Sequence, residues 1–202
     1  QPYLHVRNGK TLRFSSPTQF MAQRKSTVDE AYPGDIVGLP DTGGVFKIGD
    51  TLTEGEDLHF RGLPSFSPEL FKYIENDDPM KAKQFQKGLE QLMNEGVAQL
   101  FVNQFNNRRI VGTVGQLQFE VIQYRLEHEY NAKCRWEPVH LHKACWIEAE
   151  DSVALESFKK RKYQYMAKDI EGRDVFLADS GYMLSMAQQD FEEIKFHFTS
   201  EF

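Results

Sequence analysis

One stretch limits the folds open to this chain more than any other. It runs from Arg108 to Tyr130 and changes its hydrophobic period half-way. Arg109 to Val114 is short, apolar and β-branched, as a buried strand is. Gly115 then interrupts the run, where the absence of a Cβ suits a sharp turn. From Gln116 onward Phe119, Ile122, Leu126 and Tyr130 recur at spacings of three and four, which is one face of a helix. Leu117, Val121 and Tyr124 fall on nearly the opposite face. A helix packed only on its own sheet needs one apolar face. A helix with two is expected to meet a second surface.

The flanking sequence predicts what surrounds this strand–helix unit. Tyr3 to about Asp57 reads as all-β, with short apolar runs separated by Gly and Pro. Asn8-Gly9, between Leu4–Arg7 and Thr11–Phe14, predicts a hairpin. Ile36, Val37 and Leu39 are expected in one strand and Val45, Phe46 and Ile48 in the next. Such spacing points to a small β-barrel, here only the end of one, since a barrel needs all its strands to remove its edges. Leu58 to Pro68, with two prolines and a glycine, is the expected connection.

From Glu69 the predicted order is βαββαβ, the ferredoxin-like arrangement. A strand over Glu69–Ile74 precedes a helix started by Asp77-Asp78-Pro79. Phe85, Leu89, Leu92 and Met93 mark its buried face, and Gly96 ends it. Strands over Val97–Val102 and Arg109–Val114, the central helix, and a strand over Lys133–Val139 complete the unit. A mixed α/β extension is expected over 144–202. It comprises a strand at Cys145–Glu150, a helix capped by Asp151-Ser152 and running to about Ala167, a strand at Asp174–Ala178, a helix at Tyr182–Asp190 and a last strand through Ile194, Phe196 and Phe198. The predicted class is therefore α+β. A partial β-barrel spans 1–57, a connection 58–68, and a second domain 69–202 holds the ferredoxin-like part 69–139 and the extension 144–202.

Charge narrows the function. The chain has 202 residues and a formal net charge of −6, the wrong sign for a protein whose overall field draws nucleic acid. An RNA contact would need a local patch. The basic clusters are Arg24-Lys25, Arg108-Arg109 and Lys159-Lys160-Arg161-Lys162. A charge run on a helix is ordinarily a solvated face, yet four adjacent cations in an acidic chain are the best candidate for phosphate contacts. Cys134, His140, His142 and Cys145 lack the paired spacing of a zinc site, and no metal is expected. Two cysteines make no disulfide framework, which fits reduced thiols in the cytoplasm. Asp77-Asp78 reads as a helix cap and Glu192-Glu193 as solvated surface, so no catalytic residue is assigned. No phosphate-cradling Gly-x-x-x-x-Gly-Lys-[Ser/Thr] loop and no Asn-Lys-x-Asp guanine motif occur, so this chain is expected to bind no guanine nucleotide.

The same residues carry a resemblance. Val111-Gly-Thr-Val-Gly-Gln-Leu-Gln-Phe119, with Arg125-Leu-Glu127, resembles the strand–helix of the third domain of translational GTPases of the elongation factor G kind, and more closely the bacterial release factor three family. Glu30-Ala-Tyr-Pro-Gly-Asp-Ile-Val-Gly-Leu39 and Ile48-Gly-Asp-Thr-Leu-Thr-Glu-Gly55 are similar to the end of the β-barrel second domain of these GTPases. Thr18-Gln-Phe-Met-Ala-Gln-Arg24, Ala144-Cys-Trp-Ile-Glu148 and Phe196-His-Phe-Thr199 extend the likeness over nearly the whole chain.

The resemblance implies a GTP-binding domain upstream of Gln1, with GTP or GDP and magnesium bound there and not here. It implies docking on the ribosome, through ribosomal RNA and small-subunit protein. It also implies a role in termination, where GTP loading promotes departure of the codon-reading release factors. Arg24, Lys25, Arg108, Arg109 and Lys159 to Lys162 become candidate ribosome contacts. Leu117, Val121 and Tyr124 become a candidate interdomain contact. The C-terminal extension is the first cover expected for them, and the GTP-binding domain or a ribosomal protein the second. A monomer in the cytoplasm is expected, with no membrane partner. The alternatives are the corresponding part of another translational GTPase and, as a competing class, a free-standing α/β ligand-binding or enzymatic module. It would need a pocket with convergent polar groups, and a chain that starts inside a barrel argues against it.

Overall fold

The computed structural model describes residues 2–200 except 16, 22, 23, 28, 29, 42, 47, 59 and 61–65, and omits the side chains of 19–21 and 24–26. The chain divides into two compact units, Gln1–Leu63 and Pro64–Phe202.

The first unit contains β1 (Pro2–His5), β2 (Lys10–Arg13), β3 (Thr18–Met21), β4 (Arg24–Thr27), β5 (Val37–Gly38) and β6 (Leu52–Thr53). They form two three-stranded antiparallel sheets, in the orders β2-β1-β6 and β4-β3-β5. The expected hairpin is present with Gly9 at φ 67°, but its first strand ends at His5, which pairs with Lys10, and Val6–Asn8 form a 3-10 turn in place of the predicted strand end. The strand expected over Val45, Phe46 and Ile48 does not form among the described residues. The N–H groups of Val45 and Phe46 instead donate to the Asp41 carboxylate, each at 3.1 Å. A short acidic side chain has taken the place of a neighbouring strand. Asp50 ties the unit together, accepting from the buried His5 at 2.8 Å and from Arg7.

The second unit opens with β7 (Leu70–Asn76), α1 (Ala82–Asn94), β8 (Gln99–Asn103), β9 (Arg109–Thr113), α2 (Leu117–Tyr130) and β10 (Cys134–Pro138). Their antiparallel order β10-β7-β9-β8 is the ferredoxin-like one. The Asp78 side chain accepts from Met80 N–H at 2.9 Å, with Pro79 in the first turn. At the far end of α1, Gly96 N–H donates to Met93 O and Val97 N–H to Leu92 O. Gly96 has φ 73°, which makes this glycine the left-handed residue of a Schellman cap. Gly115, by contrast, has no positive φ, and a Cβ there would meet nothing within 4 Å. The turn before α2 does not require its glycine.

The C-terminal segment departs from the expectation in one element. The helix expected to reach Ala167 is α3 (Ser152–Arg161), and Met166 is already extended at φ −84° and ψ 138°. A 3-10 turn at Tyr163–Tyr165 separates α3 from a strand, β12 (Met166–Asp169). Met166 and Ala167 lie in different hydrophobic clusters, as neighbours on a strand should. With β11 (Lys143–Glu148), β13 (Asp174–Ala178), α4 (Gly181–Asp190) and β14 (Lys195–His197), the mixed α/β extension is a second βαββαβ unit. Its strands run in the order β12-β13-β11-β14, and β12 pairs antiparallel with β8, giving one eight-stranded sheet. The second strand of each unit therefore forms the junction.

Three cores follow from this layout. Phe85, Leu89, Leu92, Val111, Phe119, Ile122 and Leu126 share the first, beneath α1 and α2, as their spacing predicts. Phe158, Met166, Phe176 and Leu184 belong to the second, beneath α3 and α4. The third, with Phe71, Phe101, Ile110, Trp146 and Val175, joins the two halves. The Phe101 and Trp146 rings lie 5.8 Å apart, centroid to centroid, although β12 and β13 stand between their strands in the sheet. Three strand steps span about 14 Å when flat. The sheet is thus curled, its helix-free surfaces packed on each other and its helices outside.

Candidate docking surfaces

Arg108, Arg109 and Lys159 each have a local structural role before a functional one. Arg108 leaves the hairpin between β8 and β9 and bridges two carboxylates, donating to Glu75 at 2.9 Å and to Glu137. Its guanidinium also lies 3.7 Å from the Tyr73 ring centre. Burial opposes its charge, but the bonds to Glu137 and Glu75 prevail and hold its pKa above the usual value. Arg109 donates to Gln86 of α1 at 2.7 Å and stands over Phe85. Both arginines fasten elements to the sheet. The backbones of Arg24 and Lys25 lie in β4, and their side chains are outside the described residues.

The Lys159–Lys162 run ends α3, where cations complement the negative end of the helix dipole. Its members differ. Lys159 bridges Glu156 at 2.8 Å and Asp174 at 3.3 Å, and the Glu156 bond raises its pKa. Arg161 stands 5.5 Å from the Phe191 ring centre. Lys160 and Lys162 make no ion pair among the described residues, and Lys160 is exposed. Of the eight cations singled out in the sequence, these two are described ones with neither an ion pair nor an aromatic ring beneath them.

The second face of α2 is open. Leu117, Val121 and Tyr124 are 68%, 42% and 62% exposed. The C-terminal segment does not cover them, contrary to expectation. The reason lies in the sheet: β11, β12 and β13 bury their apolar residues against the bare sheet surface of β7, β8 and β9, not against α2. Tyr124 stacks on His128, ring centres 4.0 Å apart. Cys134 and Cys145 lie in separate cores, so the structure does not bring the two thiols together with the exposed His140 and His142. Burial pushes both thiols up to about 12.

Comparison with known proteins places this architecture. Residues 60–188 match the family model for class II release factor RF3, C-terminal domain. The chain belongs to the class II release factor RF3 family. Residues 1–55 match elongation factor G domain 2, so both units are parts of a relative of the translational GTPases. The RF3 match ends inside α4, and β14 beyond it completes the sheet. A crystal structure of ttk003000868 from Thermus thermophilus shares the fold with a TM-score of 0.58 at 17% identity. That likeness covers 75% of this chain and 24% of the other, so this chain spans about a quarter of its length.

Sequence reading missed one pair of residues on this RF3 domain. Phe105, at the tip of the β8–β9 hairpin, and Tyr163, after α3, lean on each other in solvent. The available signal was an aromatic inside Asn103-Gln-Phe-Asn-Asn107, a turn whose other residues are all polar.

Proposed function

We propose that this chain is the ribosome-docking part of a translation-termination GTPase. The GTP-binding domain lies elsewhere in the same factor and holds GTP or GDP with magnesium. The factor promotes departure of codon-reading release factors after the peptide has been released. GTP loading reorients the nucleotide domain against this chain, which in turn favours the ribosomal state from which the release factor leaves. Ribosomal RNA and small-subunit protein are the partners, and the open face of α2 is a contact for the nucleotide domain or for ribosomal protein.

One observation carries the reading: an elongation factor G domain 2 match followed by an RF3 C-terminal-domain match, in that order and over most of the chain. The test uses sedimentation with intact ribosomes and a reconstituted termination reaction. The chain should co-sediment in a salt-dependent way, bind no GTP or GDP by calorimetry, and, as part of the full-length factor, be required for release-factor recycling. A chain that ignores ribosomes, and a full-length factor that recycles without residues 64–202, would refute it.

A further inference from the structure

Where β8 of the first βαββαβ unit pairs with β12 of the second, two aromatic rings stand in solvent. Phe105 is 55% exposed and Tyr163 is 50% exposed. Their rings meet edge to face, 5.7 Å between centroids at 86°. Both are held by fixed backbone. The Tyr163 hydroxyl donates to Gln104 O at 3.2 Å. Gln104 N–H donates to Met166 O at 2.8 Å, and the Asn103 amide donates to Gln164 O at 3.0 Å. The side-chain oxygen of Asn103 accepts from Phe105 N–H at 2.8 Å, which sets the hairpin tip. Large rings left in water give up burial that either could have contributed, and pinning them there is not needed for either core.

The neighbouring charge is positive. Lys160 lies in the last turn of α3, three residues before Tyr163 in the 3-10 turn that follows the helix. Lys162 adjoins Tyr163. Neither lysine is ion-paired among the described residues, whereas Glu156, one turn back, is engaged by Lys159. A chain of net charge −6 thus carries a locally cationic, aromatic surface. Flat π-faces beside unneutralised ammonium groups match an unstacked base with its flanking phosphates. An apolar protein surface would leave both cations unmatched.

We propose that Phe105 and Tyr163 form a stacking platform for an unpaired RNA base, with Lys160 and Lys162 at the adjoining phosphates. This rests on the ribosome-docking reading, since folded ribosomal RNA offers splayed bases in loops and bulges.

The experiment measures the 202-residue chain against a fluorescent single-stranded oligoadenylate by anisotropy over a series of salt concentrations, and against small ribosomal subunits by sedimentation. Phe105→Leu and Tyr163→Leu should each weaken oligonucleotide binding about tenfold or more. Phe105→Trp should retain it, because the π-face is kept. Tyr163→Phe keeps the ring without the hydroxyl bond to Gln104, so retained binding there assigns the Leu effect to stacking. Lys160→Gln and Lys162→Gln should each flatten the salt slope by about 0.7, while the aromatic variants leave that slope alone. Leu variants that bind RNA as well as the parent chain overturn the proposal. Leu variants that lose ribosomes while the parent chain binds no free RNA also overturn it, and point to ribosomal protein. Ring-dependent RNA binding without ribosome binding supports the platform and removes the proposed function. Ribosome binding indifferent to both rings does the reverse.

Discussion

Replacing Gly88 tests a close approach between α1 and α2. Gly88 is buried on α1, and a Cβ built on it would lie 2.6 Å from Tyr130 Cγ, 2.9 Å from Tyr130 Cδ2 and 2.9 Å from Leu126 Cδ2. Ordinary carbon contacts are about 3.5–4.0 Å. The tyrosine ring, met near its root, must therefore retreat by about 1 Å. Overpacking of this kind costs about 1–3 kcal/mol. Opposing it, alanine is about 1 kcal/mol better than glycine inside a helix. Gly88→Ala should then be neutral to destabilising by about 2 kcal/mol. Gly88→Val, with more atoms to place and a poorer helix propensity, should be worse. Tyr130→Ala in the same chain should recover part of the loss, a coupling of about 1 kcal/mol or more. Both tryptophans, Trp136 and Trp146, lie in the second unit, so their fluorescence in a guanidinium titration reports that unit. A gain of about 1 kcal/mol for Gly88→Ala, as at an open helical glycine, would refute the close approach.

Leu126→Ala, at a fully buried site in the same core, should cost about 2–5 kcal/mol in that titration. Val121→Asp, on the open face, should cost less than about 1 kcal/mol, and a large loss would mean the face is covered. Native Cys134 and Cys145, buried and with thiols held near 12, should resist a thiol-specific chromogenic reagent at mildly alkaline pH and react fully once the chain is unfolded. Bonds from Arg108 and Arg125 depress Glu137 and Glu129 below the usual carboxylate range. Their contribution is therefore present above the ordinary Glu value and lost as pH falls through the depressed one. Acid titration of Arg108→Gln and Arg125→Gln should show a shallower loss of stability over that window than the parent chain.

The legible parts of the fold were those where one residue type has one local use. Asp78 before Pro79, Gly96 after Met93, and the three- and four-residue spacing of Phe119, Ile122 and Leu126 each mark a cap or a face without reference to the rest of the chain. What was not legible depends on distant partners. Met166 continues the apolar spacing of Leu155 and Phe158, and only pairing with β8 and β13 makes it a strand residue. Gly88 is, by helix propensity, a weak point of a helix, and only the approach of Tyr130 gives it a packing role. Arg108 and Lys160 are equivalent as letters. Glu75 and Glu137, brought from β7 and β10, are what engage the first and leave the second available.

Joining two βαββαβ units through their second strands also decides what the sheet shows to other molecules of its kind. The outermost strands are β10 and β14, and each carries unpaired backbone groups that could template strand addition. β14 is only three residues long. β10 ends in Pro138, which has no N–H to offer, and presents Arg135, tied to Glu137 and Asp77. Shortness guards one end and charge with proline the other. With both ends guarded in this way, the eight-stranded sheet resists joining copies of itself edge to edge.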